Sequence, residues 1–348
     1  MAAHHQAEFM SALVSQGHEV TWVVDQFLTG ERRAQGWPSV SVDGLRLLQA
    51  SPADVSQILS VSKPDLCVFA PRGCEAGPIL VRELGIRGLP YAFMMELPGG
   101  SGPLVFLKKI LHKFFFSRAA RPRFTLAMGL LARRFYHEAG YPLVVPFGYT
   151  VPASMLTPDG RAPGPYRIVY LGQLIRRKRV DLVLRALAQA GGDWHLDIVG
   201  GGSCRANLAQ LASDLGIASR LSWISFMDNA SARVVLASAD TLVLPSESEG
   251  WGAVVNEALA EGSRVIVSSA CGSSCLTKLN KEDMTFQSRS VSSLAAAIQV
   301  QLALGGVSLA ERQRRRLSHQ RIDGRSMAAY FTRIASGDAP AAPWDVLE

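Results

Sequence analysis

Two glutamates, Glu249 and Glu257, stand eight residues apart in the stretch Pro245-Ser-Glu-Ser-Glu249-Gly-Trp-Gly252, which continues into a helical pattern that ends before Gly262. A strand would deliver the loop, and the start of the helix after it would present free N–H groups and the positive end of its dipole, which suits a phosphate. Gly250 and Gly252 let a ligand approach the backbone. The segment Gly250, Trp251, Gly252, Ala253 and Val254 is therefore the candidate phosphate-facing stretch. One carboxylate sits in the loop and the other projects from the helix, and both can accept hydrogen bonds from hydroxyls. That set suits a polyhydroxylated ligand with a phosphate between its sugars. In the plainer alternative, Glu249 caps the helix and Glu257 lies on a solvated face.

A second strand-turn-helix unit reads Tyr170-Leu-Gly172-Gln173-Leu-Ile-Arg-Arg-Lys178-Arg-Val-Asp181. Gly172 permits close approach, and Lys178 places a mobile ammonium where a diphosphate can be neutralised. Taken alone, its basic run fits a solvated surface or a nucleic-acid patch equally well. A third place of interest is Met94-Met-Glu96-Leu-Pro-Gly-Gly100. Glu96 can orient an acceptor hydroxyl or take its proton, and the glycines leave space for a sugar. Alternatively, Glu96 only ends a strand and the glycines only make a loop. His4, His5, His112 and His137 are read as structural or exposed, and the Arg312 to Arg316 run as a solvated helix face.

The elements that must position these residues are legible from periodicity. In the second half, strands are expected at Arg167 to Leu174, His195 to Gly200, Arg220 to Phe226, Thr241 to Pro245 and Arg264 to Ser269. Helical patterns alternate with them at Val180 to Ala190, Cys204 to Leu215, Ala230 to Ala239 and Ala253 to Glu261. This alternation implies a parallel sheet covered on both faces. The first half repeats the theme, with strands expected at Glu19 to Val24, Asp65 to Ala70, Tyr91 to Met95, Phe124 to Met128 and Leu143 to Pro146.

The Pro- and Gly-rich stretch 157–165 reads as a linker between a first domain at 1–156 and a second at 166–320, with a C-terminal helix and tail at 321–348 crossing back to the first. The chain opens on an amphipathic helix rather than a strand and turn, so the first domain is expected to lack its first strand.

With 348 residues, 48% hydrophobic and 19% charged, the chain suits two folded domains. A net charge of +7 points to an anionic partner. The basic residues are dispersed over both halves and lack RNA-type aromatic motifs, which argues against nucleic acid. Five cysteines without CxxC spacing suggest neither a disulfide framework nor a zinc site, so the expected location is the cytoplasm. No apolar run approaches the roughly 20 residues needed to span a bilayer. The segment 106–123 mixes Lys, Arg and His with large apolar residues. It is either a core helix with a charged outer face or a helix lying in the headgroups of an anionic membrane, at the inner face of the plasma membrane.

Taken together, the GxLxxxK turn (Gly172, Leu174, Lys178), the strand end Ile198-Val-Gly-Gly-Gly202 and the segment PSESEGWGAVVNEALAEGSRVIVS resemble the family 4 glycosyltransferases. The last segment matches their EX7E signature in order, spacing and setting. The resemblance implies the GT-B fold, two Rossmann-like domains facing across a cleft, and transfer of a sugar from a nucleoside diphosphate to a hydroxyl with retention of configuration. By resemblance, Glu257 holds the ribose, Glu249 contacts the transferred sugar, and Lys178 contacts the diphosphate and stabilises the leaving group.

Gln173 stands where the family often has an Arg, a loss of one positive charge that Arg176 or Arg177 can compensate, the alternative being that both point into water. Glu96 stands near where related enzymes carry a His, and the family's Gly-rich loop after the first strand is missing. No metal or other cofactor is expected. The implied partners are a nucleotide-sugar donor and a glycan or glycolipid acceptor, in polysaccharide, lipopolysaccharide or glycolipid biosynthesis. The rivals are an inert or truncated donor-binding protein of the same fold and a sugar-nucleotide epimerase.

Overall fold

The structure, a computed structural model, describes residues 4–24, 42–71, 75–98, 107–114, 121–156 and 164–345. Helix α1 (His4–Ser15) buries Phe9 and Leu13 and leads into strand β1 (Thr21–Val24), which pairs in parallel with β2 (Arg46–Gln49). The chain continues through α2 (Val55–Ser62), β3 (Cys67–Phe69), α3 (Ala76–Arg87), β4 (Tyr91–Met95), a helix α4 at 107–114, β5 (Thr125–Met128), α5 (Gly129–Glu138) and β6 (Val144–Phe147). Strands β3 to β6 form a parallel sheet in sequence order. Among the described residues, the first domain carries its strands in two sheets, where periodicity suggested a single α/β unit.

The second domain comprises β7 (Tyr166–Leu171), α6 (Val180–Gln189), β8 (Trp194–Val199), α7 (Arg205–Asp214), β9 (Leu221–Ile224), α8 (Asn229–Ser238), β10 (Thr241–Leu244), α9 (Val254–Ala260), β11 (Arg264–Ser268) and β12 (Met284–Phe286). Its six parallel strands lie in the order β12-β11-β10-β7-β8-β9. Chain order therefore reverses between the neighbours β7 and β10. Loops leaving two such strands at their carboxyl ends diverge and leave a crevice, where ligands bind in sheets of this kind. The central strands are buried on both faces, as Val169, Tyr170, Leu242 and Val243 show. Periodicity missed β2 and β12, of four and three residues.

Three further helices, α10 (Val291–Leu304), α11 (Leu309–His319) and α12 (Gly324–Ala335), complete the chain. Helix α12 crosses to the first domain and lies along α1, where the Phe9 and Phe331 rings meet edge-on at 5.5 Å. The Tyr330 hydroxyl donates to the Pro146 carbonyl at 3.1 Å. One hydrophobic core runs through both domains, joining Leu126, Met128 and Phe147 to Leu244, Trp251 and Val255.

Helix α11 corrects the reading of Arg312 to Arg316 as a solvated face. Arg312 and Arg315 are 6% and 0% exposed. Their spacing of three puts them on one side of the helix, turned inward. There Arg312 donates to the Ala239 carbonyl at 2.9 Å, and Arg315 donates to the Ser263 carbonyl at 2.8 Å and pairs with the buried Asp283. The guanidinium groups satisfy carbonyls at the ends of α8 and at the start of β11, which apolar side chains could not do. Removing one member strands the other charge, so Arg315→Ala is expected to cost about 3–5 kcal/mol in urea denaturation. A loss under about 1 kcal/mol would show that the pair is not held in the folded chain.

Glu8 generates a second prediction. Burial and the nearby Asp323 raise its carboxyl to about 7, against opposing pulls from the Gly324 amide and Arg233. The folded chain then keeps a proton that the unfolded chain releases, so stability falls as pH rises from about 4.5 to about 7. Glu8→Gln should flatten that part of the profile of denaturation midpoint against pH. An unchanged slope in the variant would assign it to another group.

Candidate active site

The two loops that part at β7 and β10 are tied together by one carboxylate oxygen. Glu249 Oε2 accepts from Lys178 Nζ at 2.5 Å, Arg177 Nη1 at 3.0 Å and Ser246 Oγ at 3.1 Å. Burial pushes the Glu249 carboxyl up, but Lys178, Arg177 and Ser246 outweigh it and hold it below the ordinary carboxylate range. The backbone seals the same junction: the Glu247 amide donates to the Arg177 carbonyl at 3.0 Å, and Arg177 donates to the Ser248 carbonyl at 2.6 Å. Arg177, weighed as a solvated residue, points into the site, whereas Arg176 does not join it.

The turn carrying Gly172 and Gln173 rests on the loop after β8. The Gly172 amide donates to the Val199 carbonyl at 3.0 Å, and the Leu174 amide to the Gly201 carbonyl at 2.8 Å. Gly200 has φ +133°, and a Cβ there would collide with the Gly172 carbonyl, so this contact admits only glycine. The Gln173 carbonyl accepts from the buried Tyr170 hydroxyl at 2.7 Å.

Glu257 lies on α9, 7% exposed, with its Oε1 accepting from Asn229 Nδ2 at 2.9 Å. It is therefore not on a solvated face, the alternative weighed above. Gly252 and the half-buried Ala253 and Val254 stand at the start of α9.

From the first domain, Glu96 follows β4 and reaches the loop after β10. Its Oε1 accepts from the Tyr149 hydroxyl at 2.5 Å, while Oε2 lies where a Cβ on Gly250 would be. Burial, the Glu96 charge and that hydrogen bond all raise the Tyr149 phenol, so it stays a donor. The Tyr136 hydroxyl fixes the Glu96 backbone by donating to its carbonyl at 2.7 Å. Glu96 thus faces the loop that carries Glu249, so the two carboxylates come from different domains. Trp251 does not join them. Its indole is 2% exposed, packed against Gly148 and Trp344, with Nε1 donating to Asn256 Oδ1 at 2.7 Å. The large ring is drawn into the core shared by the domains, a correction to its listing among ligand-facing residues.

Residues 158–318 match the model of the family described as glycosyl transferases group 1. The match falls on the second domain and covers less than half of the chain. A D-inositol 3-phosphate glycosyltransferase of Mycobacterium ulcerans is 35% identical over 118 residues, covering 32% of this chain and 25% of that protein. A GDP-mannose-dependent alpha-(1-6)-phosphatidylinositol monomannoside mannosyltransferase of Mycobacterium tuberculosis is 27% identical over 287 residues, 75% of this chain and 70% of that protein. The chain spans about a quarter of the length of the first curated relatives it matches, at 27%, 25% and 28%. Anabaena HepE, solved in complex with UDP, superposes with a TM-score of 0.69 at 14% identity over 95% of this chain and 96% of that one, which shows that the fold is GT-B.

Within the two domains, sequence reasoning missed Asn229, Ser246 and Tyr149. Ser246 lies inside the glutamate motif and was the most findable, whereas Asn229 and Tyr149 become neighbours of Glu257 and Glu96 only through folding. His112, read from sequence as structural or exposed, is buried and shares a hydrogen bond of 2.9 Å with the Tyr141 hydroxyl. Gly250→Ala would set a methyl against the Glu96 carboxylate and is expected to cost about 1–3 kcal/mol in thermal denaturation. Adding Glu96→Ala should recover most of that cost, and an undiminished loss in the double variant would contradict the contact.

Proposed function

We propose that this chain transfers a sugar from a nucleoside-diphosphate donor to a hydroxyl on a glycan or glycolipid acceptor, with retention of configuration. The observation that carries the reading is the Glu249 carboxylate lodged between Lys178 and Arg177 at the point where the strand order reverses. It marks a cationic cradle built for an anion and filled by an internal one. A donor diphosphate displaces the carboxylate, takes the two cations, and frees Glu249 to meet the sugar. Lys178 and Arg177 then stabilise the charge that grows on the departing diphosphate. Arg177 thereby supplies the positive charge that Gln173 does not.

Glu257, fixed by Asn229, takes the ribose hydroxyls, and Glu96, fixed by Tyr149, orients the acceptor hydroxyl or takes its proton. In this reading the cations of the chain do the work of a metal, and none is required. The relatives named for inositol-phosphate and phosphatidylinositol mannoside substrates, and the UDP complex of HepE, support both the donor and the acceptor class.

Contact with an anionic membrane belongs to the same reading, since glycolipid acceptors are found there. On α4, Leu107, Ile110, Leu111 and Phe114 are exposed at helical spacing beside Lys108, Lys109 and Lys113. Among the described residues, no helix is long and apolar enough to cross a membrane.

Titration of UDP, GDP and ADP without metal tests the donor site. Lys178→Ala and Glu257→Ala should each weaken the preferred nucleotide about tenfold or more. Glu249→Gln should tighten it roughly three- to tenfold, because no sugar is present and the cations are set free. Weaker binding by Glu249→Gln, or affinity indifferent to Lys178, would sink the cradle. For the membrane, replacing Leu111 and Phe114 by Gln should abolish co-sedimentation with vesicles containing anionic phospholipid, and co-sedimentation that survives would place any contact elsewhere.

A further inference from the structure

Beside the cradle, on the other side of the turn Arg176–Lys178, the second domain holds a separate hollow of about 740 Å³. Its floor is apolar, with Val180, Leu208 and Leu211 along α6 and α7. Its rim carries four guanidinium groups, from Arg176, Arg179, Arg185 and Arg289, against two carboxylates, Asp181 and Glu247.

Both carboxylates are already committed. Asp181 pairs with Arg179 at 2.9 Å, and Glu247 is shared between Arg179 and Arg289, at 3.4 Å from each. Arg176 and Arg185 have no ion-pair partner among the described residues, so the hollow keeps two positive charges in excess.

Two of these arginines are held in a conformation that side chains other than glycine avoid. Arg179 has φ +51° and Arg289 φ +66°, each costing of order 1 kcal/mol. The surroundings impose this backbone at the two residues that converge on Glu247.

The wall between hollow and cradle is one strand of chain thick. Arg176 lines the hollow while Arg177 and Lys178 turn to Glu249, and Glu247 faces the hollow two residues before Glu249 faces the cradle.

We propose that this hollow is a second anion site, distinct from the donor cradle, for a small phosphate or diphosphate ester. Guanidinium groups bind phosphate oxygens in paired hydrogen bonds, and the apolar floor takes the organic part of the ester. Because Glu247 and Glu249 share one loop, an anion drawing Arg179 and Arg289 away from Glu247 also loosens the loop that closes the cradle.

The site is tested by titrating inorganic pyrophosphate calorimetrically into the full chain in two backgrounds, one carrying Lys178→Ala and the other wild type saturated with UDP. Binding is expected to persist in both and to weaken at least tenfold when the exposed Arg176 and Arg289 are both replaced by Gln. Phenyl phosphate should displace pyrophosphate more effectively than inorganic phosphate does. Absence of binding in both backgrounds, or binding indifferent to Arg176 and Arg289, overturns the site. Phenyl phosphate no better than inorganic phosphate overturns the ester. Failure of UDP itself to bind would count against the donor reading only, since the Lys178→Ala background still reports on the hollow.

Discussion

The site depends on one largely buried carboxylate that joins two loops and neutralises two cations crowded on one of them. The turn after β7 brings Arg177 and Lys178 together, and the loop after β10 brings Glu249 to them. Without that carboxylate, two cations would face each other at a half-enclosed surface, an arrangement that like-charge repulsion disfavours. The strand order creates the crevice, and the carboxylate spans it to reach the two cations.

The second constraint is how closely the two domains approach. Gly129 at the start of α5, Gly272 and Gly250 meet at distances where a Cβ on any of them would strike backbone or the Glu96 carboxylate. Around this contact, Trp251 fills the space beside Gly148 and lies tilted against Trp344, while α12 lies on α1. Side chains as large as these, buried at the contact, join the two domains in one core. Glu96 is delivered to the loop after β10 by that packing and by Tyr149, not by anything local to its strand. The polar residues of the site are thus held in place by an apolar interface a few residues away.

Charge plays two roles that composition could not separate. The excess of basic residues includes guanidinium groups that complete the interior, as Arg312 and Arg315 do for the Ala239 and Ser263 carbonyls. It also includes cations gathered at the cradle and along the neighbouring hollow. A count of arginines says nothing about this division, because the same side chain caps a carbonyl when buried and draws an anion when exposed.

What the sequence determined by itself was the part governed by short-range pattern. Alternating β-branched runs and helical periods placed ten strands and most of the second domain's helices within a few residues, because period and turn chemistry are local properties. The glutamate spacing and the GxLxxxK turn likewise marked the residues of the cradle, since each motif lies on one strand-turn-helix unit. Tertiary structure alone decided which of those residues touch. It turned Trp251 inward because a large ring is most stable in the shared core, set Asn229 against Glu257 and Tyr149 against Glu96 across 28 and 53 residues of chain, and buried two arginines of a run that looks solvated. Such contacts join elements whose separation in sequence carries no local signal, and they follow only from how the sheets and helices pack.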